Sequence, residues 1–145
     1  MKTKKKANHL HPSKNLRVRI YGTTDQKLIP AVIQRFKELL PVLTPRLPAG
    51  IINIIFTTDR QITRLNRYYL GRNRTTDVLS FPLPPLPVPG LEKERVLGEI
   101  YISRQQARRQ AQTAQHRLRD ELLLLVGHGL LHLAGYSHRQ MSRLP

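Results

Sequence analysis

The run from Leu122 to His138 constrains the fold of this chain more than any other segment. Leu122 to Ala134 is almost wholly apolar, interrupted by His128, His132 and two glycines. It is too short to cross a bilayer and suits a buried helix. On such a helix, residues four apart share a face about 6 Å apart along the axis, so His128 and His132 point the same way. Gly135 then admits the left-handed conformation that closes a helix, and the chain turns back to bring His138 toward the same side. The spacing H-x-x-x-H-x-x-G-x-x-H is that of a tridentate site. Three neutral imidazoles leave a fourth position for water, the pattern of a catalytic zinc site. Hydrogen-bonded histidines in a partly buried helix would account for one or two of these rings, but not for a third placed after a glycine. His128, His132 and His138 are therefore expected to hold one divalent ion per chain, zinc in the first place. His9, His11 and His116 have no partner at ligand spacing and read as surface residues.

Composition narrows the partner. Lys and Arg number 25 against nine Asp and Glu, a formal net charge of +16. Such a field concentrates polyanions, and phosphate contacts by Lys and Arg bind nucleic acid in a salt-dependent way. RNA or DNA is the expected partner; a merely solvated basic surface, or one drawn to anionic lipid, is the competing reading. The chain has no cysteine, which excludes disulfides and thiolate metal sites and leaves imidazole and carboxylate as ligands. The lysine-rich N-terminus has no apolar stretch behind it, so it is not a secretory signal. Residues 1–15 are expected to be a basic flexible tail, and 16–145 a single metallohydrolase-like domain without a membrane span, cytoplasmic in location.

The elements follow from periodicity. Leu16 to Tyr21 alternates apolar and basic residues and predicts a half-buried strand. A helix over Leu28 to Leu40 follows, introduced by a cap from Thr23, Thr24 or Asp25 and stopped by Pro41 and Pro45. Ile51 to Phe56, β-branched and continuous in apolarity, predicts a central strand covered on both faces. Thr58 or Asp59 caps a helix that turns Ile62, Leu65 and Tyr69 inward and Arg60, Arg64 and Arg67 outward. Asp77 to Phe81 is a short strand, Pro82 to Arg95 an irregular connection, and Val96 to Ile102 the fourth strand. Ser103 caps a helix with a stripe of Ala107, Ala111 and Ala114; its Arg104, Arg108 and Arg109 are expected to line an RNA path. The last helix starts near Asp120. The fold class is α+β, a small mixed four-stranded sheet packed with about four helices in the order β-α-β-α-β-β-α-α, the metal-binding helix near the C-terminus. The β-α-β unit implies a parallel pair, and the strands joined by the proline-rich connection an antiparallel one.

Three ordered blocks resemble the YbeY family of metal-dependent endoribonucleases. The segment His128-Gly-Leu-Leu-His132-Leu-Ala-Gly-Tyr-Ser-His138 is similar to HGxLHLxGYDH, in which the three histidines bind the metal. Leu65-Asn66 through Thr76-Asp77-Val-Leu-Ser-Phe-Pro82 resembles LNxxYR…PTDVLSFP, and Leu97-Gly-Glu-Ile100 resembles LGDI. The resemblance implies a single-strand-directed endoribonuclease in ribosomal RNA maturation and ribosome quality control, with ribosomal RNA and ribosomal particles as partners. Departures are specific: Leu70 stands where the family has arginine, Thr75 where it has proline, and Ser137 where it has aspartate. The chain ends seven residues after His138, where members commonly continue into a further helix.

A divalent ion on three imidazoles would polarise a phosphoryl oxygen and lower the pKa of water from 15.7 toward about 7. Metzincin proteases share the histidine spacing but need a glutamate directly after the first histidine, and here that residue is Gly129. For the remaining chemistry the candidates are Asp77, as a base or a partner orienting a ligand imidazole, and Arg72, with Arg74 as its substitute, as a phosphate clamp. The other class of function is a basic ribosome- or RNA-binding protein whose metal stabilises the fold.

Overall fold

In the computed structural model, residues 15–84 and 89–144 are described. The expected basic tail therefore falls almost wholly outside the described residues, as does the middle of the proline-rich connection. The elements are β1 (Leu16–Tyr21), α1 (Leu28–Leu43), β2 (Gly50–Thr57), α2 (Asp59–Leu70), β3 (Val78–Pro82), a 3-10 turn at Glu92–Glu94, β4 (Val96–Ser103), α3 (Arg104–Ala114), α4 (Leu118–Leu133) and α5 (His138–Met141). The sheet order is β1-β2-β4-β3. β2 lies parallel to both β1 and β4, and β3 pairs antiparallel with β4 at the edge. The expected parallel β-α-β pair and antiparallel edge pair are both present. No helix among the described residues is long and apolar enough to cross a membrane.

One face of the sheet carries Leu16, Val18, Ile20, Ile52, Ile54, Phe56, Ile100 and Ile102, all essentially sealed from solvent with Phe36 of α1 and Leu125, Val126 and Leu130 of α4. Each such side chain contributes about 1.5–3 kcal/mol through burial, so this layer dominates the stability of the domain. β2 is central, as expected, but its burial alternates: Asn53, Ile55 and Thr57 are only half-buried. Among the described residues, α2 packs on the β3–β4 half of the sheet, and the half-buried Asn53, Ile55 and Thr57 show that β2 is not sealed on both faces along its whole length as expected.

Two further expectations are corrected. Pro41 does not stop α1, which runs on to Leu43. Pro41 and Lys37, whose carbonyl loses its partner, are both exposed, so water can satisfy that oxygen, while full burial of Leu43 keeps the last turn helical. Tyr69 does not turn inward but is exposed; its ring packs against Phe81 of the edge strand β3, 5.0 Å away, and this leaves most of it in solvent. Asn66 takes the inward position instead, its Nδ2 donating to the Arg74 carbonyl at 2.9 Å.

Helix α4 lies very close to the sheet at the edge. Ser80 of β3 donates its hydroxyl to the Gly129 carbonyl at 3.2 Å, and a Cβ on Gly129 would stand 2.5 Å from Ile100 Cγ2. That methyl is on a β-branched, χ1-restricted side chain and cannot swing away. Gly129→Ala should therefore destabilise the domain by about 1–3 kcal/mol, the usual range for overpacking, as urea denaturation will measure; a loss below about 0.5 kcal/mol would mean that α4 can lift off β4 without cost.

Candidate metal centre and the adjoining cleft

The three histidines are placed by how α4 ends. His128 is half-buried one residue before the tight contact, and His132 is exposed one turn later. Ala134 is the C-cap, and Gly135 follows at φ +86°, where only glycine sits without strain. The Gly135 N–H donates to the His132 carbonyl at 2.9 Å and the Tyr136 N–H to the Leu131 carbonyl at 3.0 Å, which is the paired closure of a Schellman turn. The Tyr136 hydroxyl then donates to the Val42 carbonyl at 2.7 Å, and the Arg46 guanidinium lies 3.8 Å over its ring, so the turn is fixed to the end of α1. Ser137 caps α5 in a reciprocal capping box with Gln140. The replacement of aspartate by Ser137 thus keeps a capping oxygen, since both residue types accept from a backbone N–H at this position.

This closure brings the His138 ring to 4.8 Å from the His132 ring, edge to face. Burial, then the nearby His138 and His128 imidazoles, hold His132 below its ordinary pKa of 6.5, which favours the neutral, ligating form. Among the described residues no three His, Asp or Glu side chains already converge on one point as a finished ligand set. Imidazole nitrogen is a donor type that suits a divalent ion; the His132 and His138 rings are in contact, and His128 stands on the same helix face as His132 one turn earlier.

A cleft of about 460 Å³ is lined by Arg72, Arg74, Thr76, Asp77, Gln106 and Gln110 among others; none of the three histidines lines it. The two arginine candidates and Asp77 are thus gathered together. Leu70, in the family's arginine position, is 48 % exposed and does not line the cleft. The Asp77 carboxylate accepts from the Thr76 hydroxyl at 3.4 Å and from Gln110 Nε2 at 3.3 Å; its partners are these, not an imidazole. Gln110 Nε2 also donates to Glu121 Oε2 at 2.7 Å, and Glu121 Oε1 lies 2.7 Å from His116 Nε2. Sequence reasoning missed Glu121, only 4 % exposed, and took its partner His116 for an unengaged surface residue. The signal was available: Glu121, His128 and His132 stand at i, i+7 and i+11 of α4, which is one helix face.

The expected arginine path on α3 is largely occupied otherwise. Arg104 donates to the Gly22 and Phe56 carbonyls at 2.7 and 3.2 Å, and Arg109 pairs with Asp59 at 2.6 Å. Only Arg108 of the three has no such bond. Arg72 and Arg74, by contrast, make no side-chain hydrogen bond or ion pair among the described residues, so their guanidinium forks are available to phosphate.

Three histidines on and just after one helix, in a fold that also forms a cleft carrying two arginines unpaired among the described residues, are the pattern expected of a metal-dependent hydrolase of an anionic substrate. The family described as "Endoribonuclease YbeY" matches residues 13–144, and the chain belongs to that family of metal-dependent endoribonucleases. The endoribonuclease YbeY of Onion yellows phytoplasma is 39 % identical over 122 residues, covering 84 % of this chain and 80 % of that one. The Picosynechococcus enzyme of the same name is 45 % identical over 117 residues, covering 72 % and 68 %. Among solved structures, the solution structure of a Thermotoga maritima protein is similar with a TM-score of 0.53 at 30 % identity, covering 85 % of this chain and 74 % of that one.

Asp59, the first residue of α2, ties the cleft wall together. It accepts from Ser103 Oγ at 2.6 Å, from Arg109 at 2.6 Å and from Thr75 Oγ1 at 3.3 Å, so the threonine in place of proline supplies a bond that proline could not. Burial pushes the Asp59 carboxyl up, but the bonds from Ser103, Arg109 and Thr75 outweigh it and hold the group below 3.8. A carboxyl depressed in the folded state stabilises fully above its ordinary pKa and loses that contribution as pH falls through the folded value. Asp59→Asn should cost about 1.5–3 kcal/mol at pH 7, the range for bonds to a charged group, and the gap to the unmodified protein should close as the pH drops below 3.8. Urea titrations across that range will show it; a gap independent of pH would mean that the carboxylate charge contributes nothing.

Proposed function

We propose that this chain is a zinc-dependent, single-strand-directed endoribonuclease of ribosomal RNA maturation and ribosome quality control, acting in the cytoplasm on ribosomal RNA and ribosomal particles. Family membership supports the reaction class. The observation that carries the site is the gathering of Arg72, Arg74 and Asp77 in one cleft, which Gln110 links to α4 by bonding both Asp77 and Glu121. His128, His132 and His138 would hold the ion, which when bound supplies Lewis acidity toward a phosphoryl oxygen and a lowered water pKa. Arg72 and Arg74 clamp the phosphate through their planar donor forks and take the place of the guanidinium that Leu70 lacks. Gly129 puts no carboxylate beside His128, so the proton acceptor comes from the cleft; Asp77, held by Thr76 and Gln110, is the carboxylate in that position.

In metal analysis after identical purification, His128→Ala, His132→Ala and His138→Ala should each lose the roughly one ion per chain that the unmodified protein carries. RNA cleavage should disappear in the same variants while salt-dependent RNA binding survives, because Lys and Arg supply the latter. Metal content unchanged in all three would remove the histidines as ligands. Metal lost with cleavage intact, in preparations free of contaminating nuclease, would leave the ion a structural role in an RNA-binding protein.

A further inference from the structure

The endoribonuclease reading leaves unexplained a line of aromatic rings that runs from the end of α2 across β3 and β4. Tyr68 and Tyr69 are 79 % and 59 % exposed, a large apolar area to leave in water on a chain with so few aromatics. Their rings meet edge to face at 4.8 Å; Tyr69 lies 5.0 Å from Phe81, and Phe81 5.9 Å from Tyr101. The packing holds the rings in fixed orientations instead of leaving them to wave in solvent.

Charge brackets the line. The surrounding cations Arg60, Arg64, Arg72 and Arg74 have no carboxylate partner among the described residues, and the chain just beyond α2 leads straight into the arginine-lined cleft. At the opposite end, the Tyr101 hydroxyl donates to Glu99 at 2.9 Å, so a carboxylate closes the line where an anionic strand should stop. Phe81 and Ser80 are neighbours in β3 and face opposite sides of the sheet; Ser80 touches Gly129 beside His128. The aromatic line and the histidine helix therefore flank one edge strand.

We propose that Tyr68, Tyr69 and Phe81 form a base-stacking platform for single-stranded RNA, which holds the strand beside the cleft while Arg72 and Arg74 take its phosphates. Every base has a π-face, so stacking on exposed rings binds single strands with little sequence preference, and paired bases in a duplex offer no free face to it. The platform gives the site its bias toward unpaired RNA without any base-edge contact. It rests on the endoribonuclease reading for its substrate but makes a separate claim about how the strand is held.

The test is equilibrium binding of the full chain to a labelled 2′-O-methyl oligoadenylate of about ten nucleotides, a probe chosen to resist cleavage, and to an abasic oligomer of equal length and charge. Tyr68→Ala with Tyr69→Ala should weaken binding to the oligoadenylate about tenfold or more, with the abasic affinity and the salt slope unchanged. Tyr68→Phe with Tyr69→Phe keeps the rings and should bind as the unmodified protein does. Equal losses on both oligomers, no loss on either, or a loss in the phenylalanine pair would each overturn the platform, leaving the tyrosines as a docking surface for another protein. Cleavage of unmodified RNA, followed in parallel, separates the two claims. A protein that cleaves but shows no tyrosine-dependent base discrimination retains its activity without the platform; one that discriminates without cleaving retains the platform without the activity.

Discussion

The close seating of α4 on β4 is the constraint from which the rest of the structure follows. Gly129 faces Ile100 and Gly98 faces Leu133 with no room for a Cβ at either point, so the helix approaches the sheet more closely than side-chain layers ordinarily allow. That approach lets an edge strand of five residues reach the helix through Ser80 and sets the height at which the histidines stand beside it. Glycines inside α4 cost helix propensity of about 1 kcal/mol each relative to alanine. The buried layer of Leu125, Val126 and Leu130 beneath the same helix more than offsets that cost, at about 1.5–3 kcal/mol per side chain.

A second constraint acts at the far end of the helix. His138 belongs to a four-residue helix, which has no stability of its own in water. It is held because the Schellman turn fixes the exit of α4, Tyr136 anchors that exit to Val42 and Arg46, and Ser137 restarts the helix. The position of His138 beside His132 is therefore set by backbone closure and by α1. Helix α1 can do so only because it runs through Pro41 to Leu43 and delivers the Val42 carbonyl to the tyrosine.

Much of this was legible in the sequence, and the reasons are local. The period-two pattern of Leu16 to Tyr21, the caps at Thr58 and Ser103, and Gly135 as the closing residue each report physics that acts within a few residues. What was not legible depends on neighbours distant in the chain. Pro41 reads as a stop until the burial of Leu43 is known. Tyr69 reads as a core residue until its ring is seen to pack on the edge strand. Glu121 stands at the charged start of α4, just before the apolar run; its spacing to His128 and His132 marked it as sharing their face, but its partners Gln110 and His116 come from α3 and the turn after it.

The arginines show most clearly why composition alone does not locate a binding surface. Net charge tells a polyanion to approach but not where to settle. Arg104 satisfies carbonyls at the ends of β1 and β2, Arg109 neutralises Asp59, Arg95 donates to the Ala49 carbonyl at 3.1 Å, and Arg46 covers Tyr136; each is held by the fold, and moving it to a phosphate would break an existing contact. Arg72 and Arg74, on a loop between α2 and β3, have no such bond to give up, so a phosphate gains their full donor capacity. The one-signed helix face that looked most like an RNA path is largely structural framework. The short loop beside Leu70, where the chain departs from the family's arginine, carries two guanidinium groups that are uncommitted among the described residues and line the cleft.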